Sequence, residues 1–178
     1  MPSIQGGRER GLLLHKLLEE ILTGETAEVS IGALQARAAE LLGQIGLADS
    51  NDPARGPSSA ELAACALRGV QISEIAALRP QLRAEVPVYG SMIDGTTTEL
   101  TSGIADAVAV GDDGRIRAVI DWKSDVDPDP VLVGLYRQQI RDYVDVTGAG
   151  KGLLVFLTSG RIETVQPSPM INDRTGVI

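Results

Sequence analysis

Asp112-Asp113-Gly114-Arg115 joins two runs rich in Val, Ile and Ala, residues 100–110 and 116–123. No other feature restricts the fold as much. A two-residue Asp-Gly turn matches the twist of a tight antiparallel hairpin, so the runs are predicted to pair with Asp113 and Gly114 at the tip. That register sets Asp106 directly opposite Asp121, with Cβ atoms roughly 4.5–5.5 Å apart on one face of the sheet. A β-bulge would shift it by one residue. The two-residue period puts Lys123 on the face of Asp121 and turns Trp122 to the other. Directly opposed carboxylates repel. A hard divalent cation such as Mg²⁺, which takes oxygen ligands, removes the conflict. Such a site suits phosphodiester hydrolysis, with Lys123 steadying the charge and orienting or helping to deprotonate a water. The same residues also fit a solvated sheet edge at which Lys123 simply pairs one aspartate.

The chain ahead of the hairpin reads as helical. Leu14, Leu17, Leu18 and Ile21 recur at helical spacing within residues 9–23, and Gly24 is a plausible stop. A second helix is predicted over 31–42, and the Gly-, Pro-, Asn-, Asp- and Ser-rich stretch 43–59 reads as a loop. Ser58 and Glu61 have capping-box spacing, opening a helix through Leu67 and on toward Leu78, before Pro80. Strands are then expected at 83–89, 100–110, 116–123, 152–157 and 162–165, the last after a Ser159-Gly160 turn. Residues 130–146 read as a helix with Pro130 in its first turn. The expectation is an α/β fold, α+β with a mixed sheet. A helical part covers about 9–79 and a sheet core about 83–165, in one domain, with a loosely held tail at 166–178.

Composition excludes several classes. Aromatic residues make up only 3% of the 178, so Leu, Ile, Val and Ala must fill the interior. No apolar run reaches the ~18 residues of a membrane helix, and the polar stretch 1–10 lacks the apolar run of a secretory signal. A cytoplasmic location, with no membrane partner, is the expectation. The single cysteine, Cys65, rules out an internal disulfide, a Cys-only zinc site and an iron–sulfur cluster. The net charge of −8 argues against coating nucleic acid by charge alone. Contact with DNA would have to be local, metal-assisted or supplied by a partner.

Three groups of residues, taken in order, carry a resemblance. They are Gly103-Ile104-Ala105-Asp106, then Ile120-Asp121-Trp122-Lys123-Ser124, then Tyr136-Arg137-Gln138-Gln139 with Tyr143. Together with His15 on the first helix, they resemble the nuclease domain at the C-terminal end of RecB- and AddA-type helicase–nucleases. This is a branch of the PD-(D/E)XK superfamily. The resemblance implies a restriction-endonuclease-like core and a DNA nuclease dependent on Mg²⁺ or Mn²⁺. It implies His15, Asp106, Asp121 and the Trp122 backbone carbonyl as metal ligands, and Lys123 as the residue that positions and activates water. Gln139 and Tyr143 would support the lysine or contact the DNA backbone. Glu85 sits where many relatives carry an acidic strand residue.

Two further motifs are set aside. Asp125, Asp127 and Asp129 have the alternation of a calcium loop, but Pro130 stands where glycine is needed and Tyr136 where the bidentate glutamate belongs. They read instead as a solvated turn leading into the helix. Gly148–Gly152 hints at a phosphate loop, but Asp145 replaces its first glycine and no Ser or Thr follows Lys151. Without a nucleotide-binding motif the chain has no motor of its own, so a helicase or ATPase partner, or a longer parent chain, is expected. The leading expectation is an exonuclease of recombination or repair. Alternatives are a non-catalytic nucleic-acid-binding or assembly module that keeps the fold, and an endonuclease of restriction or junction-resolving type.

Overall fold

The computed structural model describes residues 7–52, 55–94 and 97–169, without the side chains of 91–94 and 97–100. The expected tail beyond 169 lies outside the described residues. Helix α1 spans Arg8–Thr23 and ends at Gly24 in a left-handed conformation, where glycine bears no Cβ penalty. Helix α2 spans Ile31–Gln44, α3 Ser59–Gln71 and α4 Ser73–Leu78. Ser58 caps α3 by accepting from the Glu61 N–H at 3.2 Å. Glu61 does not complete a capping box, however, because its carboxylate is taken by Arg10 of α1. The expected run from Ser58 to Leu78 is broken at Ile72, which lies between α3 and α4 in an extended conformation.

Strands β1 (Leu82–Asp94), β2 (Thr97–Val110), β3 (Ile116–Lys123), β4 (Gly152–Phe156) and β5 (Arg161–Val165) form one sheet in chain order. Neighbours are antiparallel except β3 and β4, which are parallel and joined by α5 (Pro130–Thr147). Asp129 caps α5, accepting from Leu132 N–H at 2.9 Å, and Pro130 occupies the first turn, where its missing N–H has no bond to lose.

The layers follow from burial on both faces of the sheet. Leu14, Leu17 and Leu18 of α1, Leu34 and Leu42 of α2, and Leu62 of α3 cluster with Ala107, Ile120, Trp122, Leu153 and Val155. Val133, Ile140 and Val144 of α5 pack on the opposite face against Ala105, Val119, Leu154 and Phe156. The protein is therefore a helix–sheet–helix sandwich of the α/β class around a mixed sheet. Among the described residues no helix is long and apolar enough to cross a membrane.

The hairpin reaches its expected register by an unexpected route. Gly114 N–H bonds Gly111 O and Gly111 N–H bonds Arg115 O, so the loop has three residues, with Gly114 at φ 76°. This is a type I turn closed by a left-handed glycine, not the two-residue turn expected, and it shifts the pairing by one. A bulge between Ala109 and Val110 shifts it back, and Ala107 faces Ile120 as the Asp-Gly argument requires. Two local departures cancel.

Candidate active site

The ladder between β2 and β3 stops at Ala107 and Ile120. Beyond that point β2 pairs with β1 and β3 with β4, so the sheet opens where Asp106 and Asp121 stand. The side-chain faces also change here. Ala107 packs toward α1–α4, while Ala105, two residues away, packs toward α5. On β1 the matching irregularity is at Glu85, which is skipped between the pairs Ala84–Ala107 and Val86–Ala105 and has φ 51°. A left-handed conformation in a residue other than glycine stores strain of about 1–3 kcal/mol. Asp106 uses the opening to replace the missing backbone bond, and its Oδ2 accepts the Trp122 N–H at 2.7 Å. The aspartates are thus brought together at a fork in the sheet, rather than as a simple cross-strand pair on one flat face.

Residues from both outer layers reach into this fork. From α1, His15 Nδ1 lies 3.2 Å from Asp106 Oδ1. From β3, the Lys123 ammonium lies 2.8 Å from Asp121 Oδ2, and both side chains are 12% exposed. Asp121 Oδ2 is buried, and the Lys123 ammonium is the positive charge that meets it. From α5, Gln139 Oε1 accepts from Lys123 Nζ at 3.3 Å. Trp122 points into the α1–α3 side of the core, leaving its backbone at the site.

The two carboxyls are pushed apart electrostatically. Burial raises Asp121 to about 7, and the charge of Asp106 adds to the effect against the attraction of Lys123. Burial also works against ionised Asp106, but its bond to His15, the His15 charge and the Trp122 N–H hold it below the usual carboxylate range. His15 is the complement. Burial disfavours its charged form, yet the bond to Asp106 and the charges of both aspartates raise it above the ordinary histidine value. Partial burial, then the charges of Asp106 and Glu19, raise Glu85, which belongs to the electrostatic surroundings of the site.

Several contributors differ from the sequence expectation. The second residue holding the lysine is Tyr136, not Tyr143: the Lys123 ammonium lies 3.9 Å from the Tyr136 ring centroid, a cation–π contact. Asp125, read from the sequence as part of a solvated turn, accepts the Tyr136 hydroxyl at 2.8 Å and fixes the ring. Tyr143 lies with its hydroxyl against Gly103, so close that a Cβ added there would be 2.1 Å from the oxygen. The signal for Tyr136 was present in the sequence, three residues before Gln139 and so on the same helical face.

Among the described residues, no three His, Cys, Asp or Glu side chains already stand as the ligand set of a cation. His15 is turned onto Asp106, and Lys123 onto Asp121. The donor chemistry nevertheless fits a hard divalent ion: the buried carboxylate of Asp121, the second carboxylate of Asp106, and an imidazole within bonding reach of Asp106. A cavity of about 580 Å³ opens beside these groups, lined by Gly11, His15, Trp122, Lys123, Ser124, Asp125 and Tyr136 among others.

The protein thus belongs to the class of three-layer α/β proteins with a polar cleft where its central strands separate. No protein family matches the chain, and no curated protein does. Among solved structures the chain is similar to the crystal structure of SSO0001, at 20% identity over 89% of this chain and 78% of that one, with a TM-score of 0.41.

Proposed function

We propose that this chain is a divalent-metal-dependent DNA nuclease on a PD-(D/E)XK-type core, acting exonucleolytically in recombination or repair. The observation that carries the reading is the meeting of His15, Asp106, Asp121 and Lys123 at the fork between β2 and β3. His15, Asp106, Asp121 and the Trp122 carbonyl would hold Mg²⁺ or Mn²⁺. When bound, the ion supplies charge stabilisation at the phosphoryl group and acidifies a water. Lys123, held by Gln139 and Tyr136, orients that water and offsets the charge developing on the phosphate. Asp106 keeps His15 aligned through Nδ1 and tethers Trp122. Buried Asp121 gives up its proton more readily once a cation neighbours it.

The net charge of −8 favours a second reading, a nucleic-acid-binding or assembly module without catalysis. On the nuclease reading, the same charge leaves DNA contact to be local, metal-assisted or supplied by a partner such as a separate motor or parent chain. Digestion of linear duplex, single-stranded and closed circular DNA with Mg²⁺ or Mn²⁺, run beside Asp121→Ala, separates the readings. Cleavage of linear substrates by the parent alone supports the exonuclease, and cleavage of the closed circle points to an endonuclease. A folded parent that binds DNA but cleaves none of them leaves the module.

A further inference from the structure

Among the described residues, the most completely buried charge lies outside the catalytic set. Arg10 is 1% exposed, five residues before His15 on α1. Its guanidinium grips Glu61 of α3 with Nε at 3.2 Å and Nη2 at 2.5 Å, and Nη2 also donates to Thr158 Oγ1 at 2.9 Å. Nη1 donates to the carbonyl oxygen of Ser124, the residue that follows Lys123. That carbonyl lies just past the end of the β3–β4 ladder, whose last pair is Lys123 with Phe156, so strand pairing does not satisfy it. Thr158 Oγ1 reaches the same carbonyl at 3.4 Å. The interface is tight enough that a Cβ on Gly11 would lie 3.1 Å from Ser124 Oγ.

We propose that Arg10 is a positioning residue for the cleft, setting where α1, and with it His15, sits against the end of β3 that carries Asp121 and Lys123. This rests on the nuclease reading for its purpose, though not for its geometry. His15 comes from one layer of the sandwich and the Asp121–Lys123 pair from the sheet. Apolar packing fixes the distance between layers but resists sliding weakly. A planar fork bonded to a carboxylate on α3 and to a backbone carbonyl at the end of β3 resists sliding in two directions at once. Glu61 neutralises the guanidinium, and Glu61 in turn accepts from the Cys65 thiol at 3.0 Å, so the network closes on itself.

A plain stabiliser and a positioning residue behave differently when the whole pair is replaced by apolar side chains. Removing Arg10 alone strands Glu61 and risks unfolding. In Arg10→Met/Glu61→Met no charge is left unpaired, and such swaps of buried pairs are often neutral or stabilising. The double variant is expected to melt near the parent temperature. Its Mn²⁺ affinity by calorimetry is expected to fall about tenfold to a hundredfold, the usual cost of losing a supporting partner, while KM for DNA stays unchanged. A second readout needs no metal. His15 is the sole histidine and Trp122 the sole tryptophan, so their ring and amide signals are identifiable by residue type alone. In the double variant the His15 ring signal and the Trp122 amide are expected to shift and broaden as the His15–Asp106 contact loosens. A folded double variant with parent-like His15 and Trp122 signals and parent-like Mn²⁺ affinity overturns the proposal. A parent that binds no Mn²⁺ and cleaves nothing sinks the nuclease reading instead, and the two NMR signals still decide the positioning role.

Discussion

Two ion pairs flank the end of β3, one touching Ser124 and the other made by Lys123, and they are built on opposite principles. Arg10, bonded to Ser124 O, has its fork filled by Glu61, Thr158 and that carbonyl. Lys123 touches Asp121 at 2.8 Å, yet burial, with the charge of Asp106 beside it, outweighs that attraction and pushes the carboxyl up to about 7. The first pair satisfies its polar groups and fixes geometry. The second keeps a carboxylate at high energy in a cleft, as expected of a group that is to be re-paired with a ligand. Burial alone does not separate structure from function here; how fully the buried charge is offset does.

The sharpest way to break that contrast is to remove each carboxylate in turn. Asp121→Ala is expected to abolish metal-dependent cleavage while leaving the melting temperature of the metal-free protein little changed, because Lys123 keeps Gln139 and the Tyr136 ring when its carboxylate is gone. Glu61→Ala should do the reverse, unfolding or strongly destabilising the chain by about 3–5 kcal/mol, since it leaves the Arg10 guanidinium buried without its carboxylate. Urea melts and a nuclease assay on both variants check this. If Asp121→Ala were the more destabilising of the two, the distinction would be wrong.

Next in size is the lysine. Lys123→Met should lower kcat by about 10²–10⁴-fold, the range for loss of a positioned acid–base or charge-stabilising group, with little change in fold. Tyr136→Leu, which removes the ring under the ammonium and the hydroxyl held by Asp125, should lower kcat by less, and Tyr136→Phe by less again because the cation–π contact survives. Single-turnover rates at saturating Mg²⁺ order the three variants, and a Tyr136→Leu enzyme as fast as the parent would remove Tyr136 from the site.

The pH dependence is a smaller effect with a definite sign. Asp121 is raised in the folded chain, so the stability it contributes is complete below the ordinary carboxylate range and is lost as pH rises through about 7. His15 is also raised, so its contribution is likewise lost as pH rises through its folded value. Asp106 is lowered, and what it contributes is lost only in acid. Around neutrality the two raised groups act together. The melting temperature of the metal-free protein is therefore expected to fall as pH rises through neutral. Mn²⁺ should reduce that slope by stabilising ionised Asp121, and Asp121→Asn should reduce it without metal.

Much of this contrast was legible in the sequence, for identifiable reasons. Strand and helix spans followed from the spacing of Leu, Val and Ile, because burial on one helix face or both sheet faces leaves a period in the chain. Asp106, Asp121 and Lys123 followed from register. That inference reached the right register at Ala107–Ile120 although the loop was one residue longer than expected, since a bulge at Ala109–Val110 compensated. The ladder stops short of Asp106 and Asp121, however, and they meet at the fork instead of as a cross-strand pair. Arg10 was not legible. Its partners Glu61, Ser124 and Thr158 are 51, 114 and 148 residues away, and no local period marks a contact made only by tertiary packing. The strain at Glu85 was hidden for a related reason: nothing in Arg83-Ala84-Glu85-Val86 signals a left-handed residue.

The finest test concerns the two tyrosines of α5. The family resemblance gives Tyr143 a place at the lysine or on the DNA backbone, and its hydroxyl sits against Gly103, a packing contact on the α5 side of the sheet. Tyr143→Phe should therefore change kcat by less than Tyr136→Leu does. Gly103→Ala should be destabilising, because its new Cβ would lie 2.1 Å from the Tyr143 hydroxyl oxygen and 3.0 Å from the ring carbon that bears it. Combining the two removes the oxygen but not the ring, so the double variant should recover part of the stability, a coupling of about 0.5–3 kcal/mol between residues in contact. Denaturant midpoints for the two singles and the double give that coupling directly. Strict additivity would show that Tyr143 and Gly103 do not interlock.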